Sequence, residues 1–182
     1  MIDLPDDPNF DQAFHYTLVN EGGFVNDPDD AGGATRWGIT INSLAAWRGH
    51  PVEAIDVRNL SVDEAKEIYY GRYWAPLRCH RMKQLPVAMA IFDVAVLFGL
   101  GTAAIYAQKA VRDCAMDIEV DGDIGPESLN ALNVVTPSVF LSTLSTLLLG
   151  RIDGIIQASP IDERFRAGWT ARVNKLLLLA SS

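Results

Sequence analysis

The stretch LPVAMAIFDVAVLFG, from Leu85 to Gly99, is apolar on every side of a helix except at one aspartate, Asp93. A helix that is hydrophobic all round is buried at the centre of a protein. The stretch is shorter than the roughly 20 residues that span a bilayer. We therefore predict a central buried helix, in which Asp93 is held by a backbone amide or by an arginine such as Arg36.

Helical patterns lie on both sides of this stretch. Asn9 is the predicted N-cap of a first helix, and the SVDE pattern from Ser61 to Glu64 predicts another helix that ends before Pro76. Further helices are predicted over residues 102–116, 138–158 and 162–179. The length of the helix over residues 138–158 suits either a buried helix or a membrane span, and we favour the buried helix. Strand patterns are nearly absent, so the fold is predicted to be mainly α with at most a short β-hairpin. The residues that share one face of the first helix are Phe10, Ala13, Phe14, Thr17 and Leu18.

Composition limits the partners of this chain of 182 residues. It has 15 basic and 23 acidic residues and a net charge of −8, which disfavours nucleic acid and simple attraction to an anionic cell wall. Two cysteines and three scattered histidines predict no disulfide framework, metal site or cofactor. The first residues lack the basic and apolar regions of a secretory signal, so we expect a protein made in the cytoplasm. We also expect a monomer without membrane contact.

A second informative stretch is EGGFVNDPDDAGGATRWGIT, residues 21–40. Glu21 falls at the predicted C-terminal end of the first helix, where the helix dipole disfavours a carboxylate. Its neighbours Val19 and Phe24 are apolar, and their contact would also favour the protonated acid. A protonated carboxyl group beside a glycine-rich loop is suited to donate a proton to a glycosidic oxygen.

Inverting glycoside hydrolysis needs a second carboxylate, which activates water across a gap of about 6.5–9.5 Å. Asp27, Asp29 and Asp30 are all candidates, and the hydroxyl of Thr35 is a candidate for holding that water. The residues alone leave open which aspartate is used, and also whether this loop is only a solvated turn. The candidate substrate-binding residues, which include aromatic rings able to stack on sugars, are Asn26, Trp37, Tyr73 and Asp93.

Residues 21–40 resemble, almost position for position, the signature of the glycoside hydrolase family 108 N-acetylmuramidases, which include phage endolysins and secretion-associated lysozymes. Tyr73-Trp74 and the FDVAV block of residues 92–96 are similar to two later blocks of that family. The QKAV and DGDIGP segments, residues 108–111 and 121–126, look like the predicted peptidoglycan-binding segment usually fused to it. The ending Phe165-x-x-Gly168-Trp169-x-x-Arg172 matches as well.

The resemblance implies a lysozyme-like α fold that cleaves the β-1,4 bond between N-acetylmuramic acid and N-acetylglucosamine in bacterial peptidoglycan. It implies that Glu21 is the catalytic acid and, from the nine-residue step between them, that Asp30 activates water. Thr35 falls one residue short of the usual threonine spacing. The implied organisation is a catalytic lobe over residues 1–104 and a wall-binding lobe over residues 105–182, packed as one compact unit.

The biological role implied is that of a phage or prophage endolysin, which reaches the wall in the periplasm after release from the cytoplasm. Two alternatives stay open. A lytic transglycosylase would use the same acid without a water-activating aspartate. A non-catalytic wall-binding or secretion-accessory protein would keep the fold without the reaction.

Overall fold

The computed structural model describes residues 4–21, 23–25 and 33–181. Helices account for 72% of the structure and the strands form only a two-stranded hairpin, so the predicted mainly α fold is confirmed. The chain divides into two compact units, residues 1–75 and residues 76–182. The predicted boundary, between residues 104 and 105, lies inside a continuous helix, Leu100–Asp113. The assignment of a catalytic and a wall-binding role to two lobes stays a prediction.

The first unit contains four α-helices and the hairpin within its described residues. Its helix α4 continues directly into a π-helical segment, Tyr70–Trp74. The bounds are α1 Pro8–Asn20, β1 Thr35–Arg36, β2 Ile39–Thr40, α2 Ile41–Arg48, α3 Ala54–Arg58 and α4 Val62–Tyr69.

The N-cap of helix α1 is Asp7, two residues before the predicted cap, Asn9. The side chain of Asp7 accepts hydrogen bonds from the backbone N–H groups of Asn9 and Phe10, both at 3.1 Å, and Pro8 occupies the first turn, where no N–H is needed. Asn9 as the N-cap was therefore wrong. The predicted apolar face is buried from Phe10 to Thr17, and it joins α1 to the rings of α4 and the π-helical segment.

Helix α4 begins as predicted, because the Ser61 hydroxyl accepts a hydrogen bond from the backbone of Glu64 at 3.1 Å. The Glu64 carboxylate binds the Arg48 guanidinium through two hydrogen bonds, at 2.8 and 2.7 Å. This contact holds the pKa of Glu64 below its usual value. The π-helical segment ends at Trp74, which is fully buried and donates a hydrogen bond to Asp7 at 2.8 Å. Trp74 is thus a core residue of the first unit.

The second unit contains five α-helices and three short 3-10 segments in its described residues. Helix α5 is buried along most of its length and packs against α6 and α8, as expected for a central helix. The helix predicted over residues 162–179 is divided into a 3-10 segment, α9 and a second 3-10 segment. The bounds are α5 Leu85–Phe98, α6 Leu100–Asp113, α7 Pro126–Val134, α8 Pro137–Ala158 and α9 Arg166–Lys175.

Among the described residues, α8 alone is long and apolar enough to cross a membrane. Seven of its side chains are buried within the second unit, from Phe140 to Ile156. They recur at helical spacing and face α5, α6 and α9. One face of α8 thus belongs to the core of this unit, as the preferred interpretation of its sequence required.

The DGDIGP segment between α6 and α7 is fixed by a buried glutamine, Gln108. Its amide donates to the Asp121 carboxylate at 2.7 Å and to the Asp123 carbonyl at 2.9 Å, and its carbonyl accepts from Gly122 at 2.8 Å. The hydrogen bond from Gln108 lowers the pKa of Asp121. The segment is therefore an ordered connection, while its proposed role in wall binding stays a prediction.

The buried aspartate of α5 has a partner other than the one named from the sequence. Asp93 is 1% exposed and accepts two hydrogen bonds from the guanidinium of Arg172 on α9, both at 3.0 Å. The partner is therefore Arg172, not Arg36. A bidentate arginine satisfies both carboxylate oxygens, which is the condition for burying such a charge. This burial speaks against direct sugar binding by Asp93.

Replacing Arg172 by methionine is expected to lower the free energy of unfolding by about 3–5 kcal/mol, because it leaves a buried carboxylate uncompensated. Urea unfolding measures the loss. The matched control is Arg166→Met on the same helix, whose ion pairs with Asp153 and Glu163 are exposed and are worth about 0–1 kcal/mol. Equal losses in the two variants would contradict this account of Asp93.

Candidate active site

The candidate acid, Glu21, caps the C-terminal end of α1. Its backbone is extended, with φ −87° and ψ 145°, and its N–H donates to the carbonyls of Thr17 and Leu18 at 3.1 and 3.2 Å. The helix thus ends at this residue, and the half-buried side chain leaves the helix axis. The buried face of α1 fixes the position from which the carboxyl group projects.

The hairpin that follows turns tightly at Trp37 and Gly38. Both residues have positive φ values, 50° and 71°, and the flanking strands pair Arg36 with Ile39. Two consecutive residues with positive φ define a type I′ turn, for which Asn-Gly is the usual pair. A bulky residue such as Trp37 costs about 1–3 kcal/mol in this conformation, so the surrounding contacts must maintain it.

Gly38 lies directly against the carboxyl group of Glu21. A Cβ atom at position 38 would lie 2.6 Å from Oε2 and 3.0 Å from Cδ of Glu21. The positive φ favours glycine at this position, and any larger residue would also have to displace the Glu21 carboxyl group. The backbone of the turn forms one wall of the niche that holds the candidate acid.

Tyr69 holds this turn from α4. Its hydroxyl donates to the Trp37 carbonyl at 2.6 Å and would lie 3.2 Å from a Cβ at Gly38. The ring is buried and packs against Phe14 of α1, with centroids 5.5 Å apart. Helix α1, the hairpin turn and α4 thus meet around the Glu21 carboxyl group.

Sequence reasoning missed both Gly38 and Tyr69. A signal for Gly38 was present, because a two-residue X-Gly turn between Thr35-Arg36 and Ile39-Thr40 is a hairpin pattern. The pairing of Tyr69 with Trp37 joins residues 32 positions apart, and no local pattern reports such a contact.

The aromatic candidates differ in their surroundings. Trp37 is half-buried, and one face of its ring carries the Arg36 guanidinium, 4.1 Å from the ring centroid. Arg36 is itself anchored by a hydrogen bond to the Arg58 carbonyl. Tyr73 is half-buried beside Tyr69, with centroids 5.7 Å apart. Sugar binding by Trp37 and Tyr73 stays a prediction.

Thr35 lies at the base of the candidate loop. Its backbone exchanges two hydrogen bonds with Val25, both at 2.8 Å, and its hydroxyl donates to the Gly33 carbonyl at 3.3 Å. The bridge joins the residues that flank positions 26–34. Of the predicted site residues, Asn26 and Asp30 lie outside the described residues, as do Asp27 and Asp29. The roles of Asp30 and Thr35 therefore stay predictions.

No group of three or more His, Cys, Asp or Glu side chains suited to a metal ion occurs in the described ranges. The chemistry of the described niche is that of a carboxyl group held by backbone and by a tyrosine-anchored turn. Such a group can transfer a proton to a bound oxygen.

Comparison with known proteins identifies the class of this site. The model of the family described as glycosyl hydrolase 108 matches residues 14–99, a range that contains Glu21, Gly38 and Tyr69. No curated protein matches the chain. Eleven chains of solved structures match it. Among them, SagA of Brucella abortus is 30% identical with a TM-score of 0.78, over 94% of this chain and 93% of that chain.

The predicted lysozyme-like character of the helical fold is confirmed by this similarity. The family match ends at residue 99, so the wall-binding assignment of the second half stays a prediction. The protein is a glycoside hydrolase that acts on peptidoglycan. With the family model over the niche and a structure of 30% identity over nearly the whole chain, the protein belongs to glycosyl hydrolase family 108.

Proposed function

We propose that the protein is an N-acetylmuramidase, which cleaves the β-1,4 bond between N-acetylmuramic acid and N-acetylglucosamine, with Glu21 as the general acid. The observation that supports this most is the packing of the Glu21 carboxyl group against Gly38 in a turn anchored by Tyr69. A general acid must be held within reach of the leaving oxygen. The backbone of Gly38 limits how far the Glu21 carboxyl group can move toward the hairpin turn.

In the proposed reaction, Glu21 in its acid form transfers its proton to the glycosidic oxygen as the bond breaks. Asp30 removes a proton from a water molecule, which attacks the sugar carbon from the opposite face. The Thr35 hydroxyl accepts or donates a hydrogen bond to that water. The new sugar hydroxyl takes the oxygen of water. Before the next turnover, Asp30 releases its proton to solvent and Glu21 takes up a proton from solvent.

Product analysis tests this reaction against transglycosylation. Digestion of purified peptidoglycan in isotopically labelled water is expected to give products with a reducing N-acetylmuramic acid end that carries the label. Mass spectrometry distinguishes these products from anhydro-sugars, which are one water lighter and carry no label. Asp30→Asn is expected to abolish the labelled products together with clearing. Unlabelled anhydro products from an active Asp30→Asn variant would contradict hydrolysis and favour transglycosylation.

We also propose a phage or prophage endolysin role, in which another factor breaches the membrane and gives the enzyme access to the wall in the periplasm. The role is supported by the resemblance of residues 21–40 to a family that includes phage endolysins. Expression in a bacterial cytoplasm is expected to leave the cells intact until chloroform permeabilises the membrane. Lysis of untreated cells would contradict the need for a separate breach.

A further inference from the structure

A groove of about 480 Å³ lies on the second unit between α6 and α8, and the proposed reaction does not use it. Helix α6 contributes Tyr106 and Lys109 to the groove, and α8 contributes Arg151. Small residues, Gly150, Gly154 and Ala158, line the α8 side together with two aliphatic side chains. The groove therefore combines a largely apolar wall with two cations.

The two cations are held on aromatic rings. The Lys109 ammonium lies 4.9 Å and the Arg151 guanidinium 5.6 Å from the centroid of the Tyr106 ring, and Arg151 also lies 5.6 Å from that of Phe98. Neither cation forms an ion pair among the described residues, and the buried Nε of Arg151 has no acceptor there. Cation–π contacts orient these charges without neutralising them, which leaves both able to bind an anion.

The glycines of α8 have no structural requirement in the described contacts. Neither Gly150 nor Gly154 has a positive φ, and a Cβ atom at either position would meet nothing within 4 Å. A glycine inside a helix makes the folded protein less stable than an alanine would, because glycine has no side chain to pack and loses more backbone entropy on folding. Spaced four residues apart with Ala158, they lie on one face of the helix and keep the groove open along it.

The charge of the chain is divided unevenly between the two units. Residues 1–75 contain 5 basic and 13 acidic residues, whereas residues 76–182 contain ten of each. The net charge of −8, which disfavours attraction to an anionic wall, therefore resides in the first unit. The second unit is neutral as a whole, so Lys109 and Arg151 face no general excess of acid on their own unit.

We propose that this groove binds the stem peptide of peptidoglycan, a short peptide with several carboxylates and small alanine side chains. Its carboxylates would pair with Lys109 and Arg151, and its methyl groups would lie along the small residues of α8. The proposal rests on peptidoglycan as the substrate. An anionic lipid surface fits less well, because the groove offers only two aliphatic side chains, Leu147 and Ile155, for insertion.

The test is titration calorimetry of the full-length protein with a synthetic stem tetrapeptide. Binding is expected for the peptide with free carboxylates and is expected to weaken at least tenfold when these are amidated. Lys109→Gln and Arg151→Gln are each expected to weaken binding by about tenfold, the effect of losing one charge-assisted contact. Gly154→Leu, whose Cβ atom would meet nothing within 4 Å and whose longer side chain would occupy the groove, is expected to abolish binding.

Arg112→Gln is the matched control, since Arg112 is exposed on α6 and does not line the groove. Cleavage of a soluble glycan without peptides is measured in parallel. Unchanged cleavage with lost peptide binding supports the groove independently of the active site. Absence of peptide binding at millimolar concentration, equal affinity in Lys109→Gln and Arg112→Gln, or a preference for phosphatidylglycerol vesicles that Lys109→Gln removes would each overturn the proposal.

Discussion

Replacing Glu21 by glutamine is expected to lower the rate of wall hydrolysis by about 10²–10⁴-fold, the usual contribution of general acid catalysis. Glutamine preserves the size of the side chain and its fit against Gly38 but has no acidic proton to transfer. The measurement is the fall in turbidity of outer-membrane-stripped cells, wild type against Glu21→Gln. The variant should keep its thermal unfolding midpoint within a few degrees, because glutamine has nearly the same shape and the Glu21 side chain is only half-buried.

The control for Glu21→Gln is another acid-to-amide substitution, Asp63→Asn, at an exposed position in the first turn of α4 in the same unit. It is expected to leave clearing unchanged. Full activity of a folded Glu21→Gln variant would reject Glu21 as the acid. Absence of clearing by folded wild-type protein would instead favour the non-catalytic alternative.

Replacing Gly38 by alanine is expected to lower kcat by about 10²-fold or more, because the new methyl group would lie 2.6 Å from Oε2 of Glu21 and must displace the acid. KM is expected to change less, since this contact involves the catalytic group and not the bulk of the sugar. Initial rates on soluble peptidoglycan fragments measure both constants.

Strain in the backbone is the competing explanation, and Gly49 separates it from displacement of the acid. Gly49 has a φ of 73°, close to the 71° of Gly38, but a Cβ atom there would meet nothing within 4 Å. Gly49→Ala is therefore expected to show a similar loss of stability and normal kcat. If the two variants lose kcat equally, the contact between Gly38 and Glu21 has no specific role.

Several parts of the fold were predictable because local rules decide them. The apolar run of α5 predicts a buried helix. A serine directly before a helical pattern, such as Ser61, predicts the N-cap of that helix. The cap of α1 was misplaced because both Asp7 and Asn9 suit an N-cap, and only the structure shows that Asp7 binds two backbone amides. The helix predicted to end at Leu179 is interrupted by 3-10 segments. Their period of about 3.0 residues per turn is too close to that of an α-helix for such short runs to be distinguished in the sequence.

The site was predictable only in part, for a different reason. Glu21 stands at a helix end in a recognisable string, so its position could be inferred from neighbouring residues. Its restraint by Gly38 and Tyr69 depends on tertiary contacts between distant positions. The same applies to Asp93, whose partner Arg172 is 79 residues away along the chain. Patterns of nearby residues carry no information on such pairs.

The hydrogen bond from Tyr69 to the Trp37 carbonyl couples the geometry of the proposed acid, Glu21, to the placement of helix α4. Any change that rotates or shifts α4 alters the turn and, through Gly38, the room available to the Glu21 carboxyl group. The Arg48–Glu64 ion pair joins α2 to that same helix. The outer surface of α4 is thus a place where catalytic rate can be tuned, in this enzyme or in variants selected from it, without altering any group that meets the sugar.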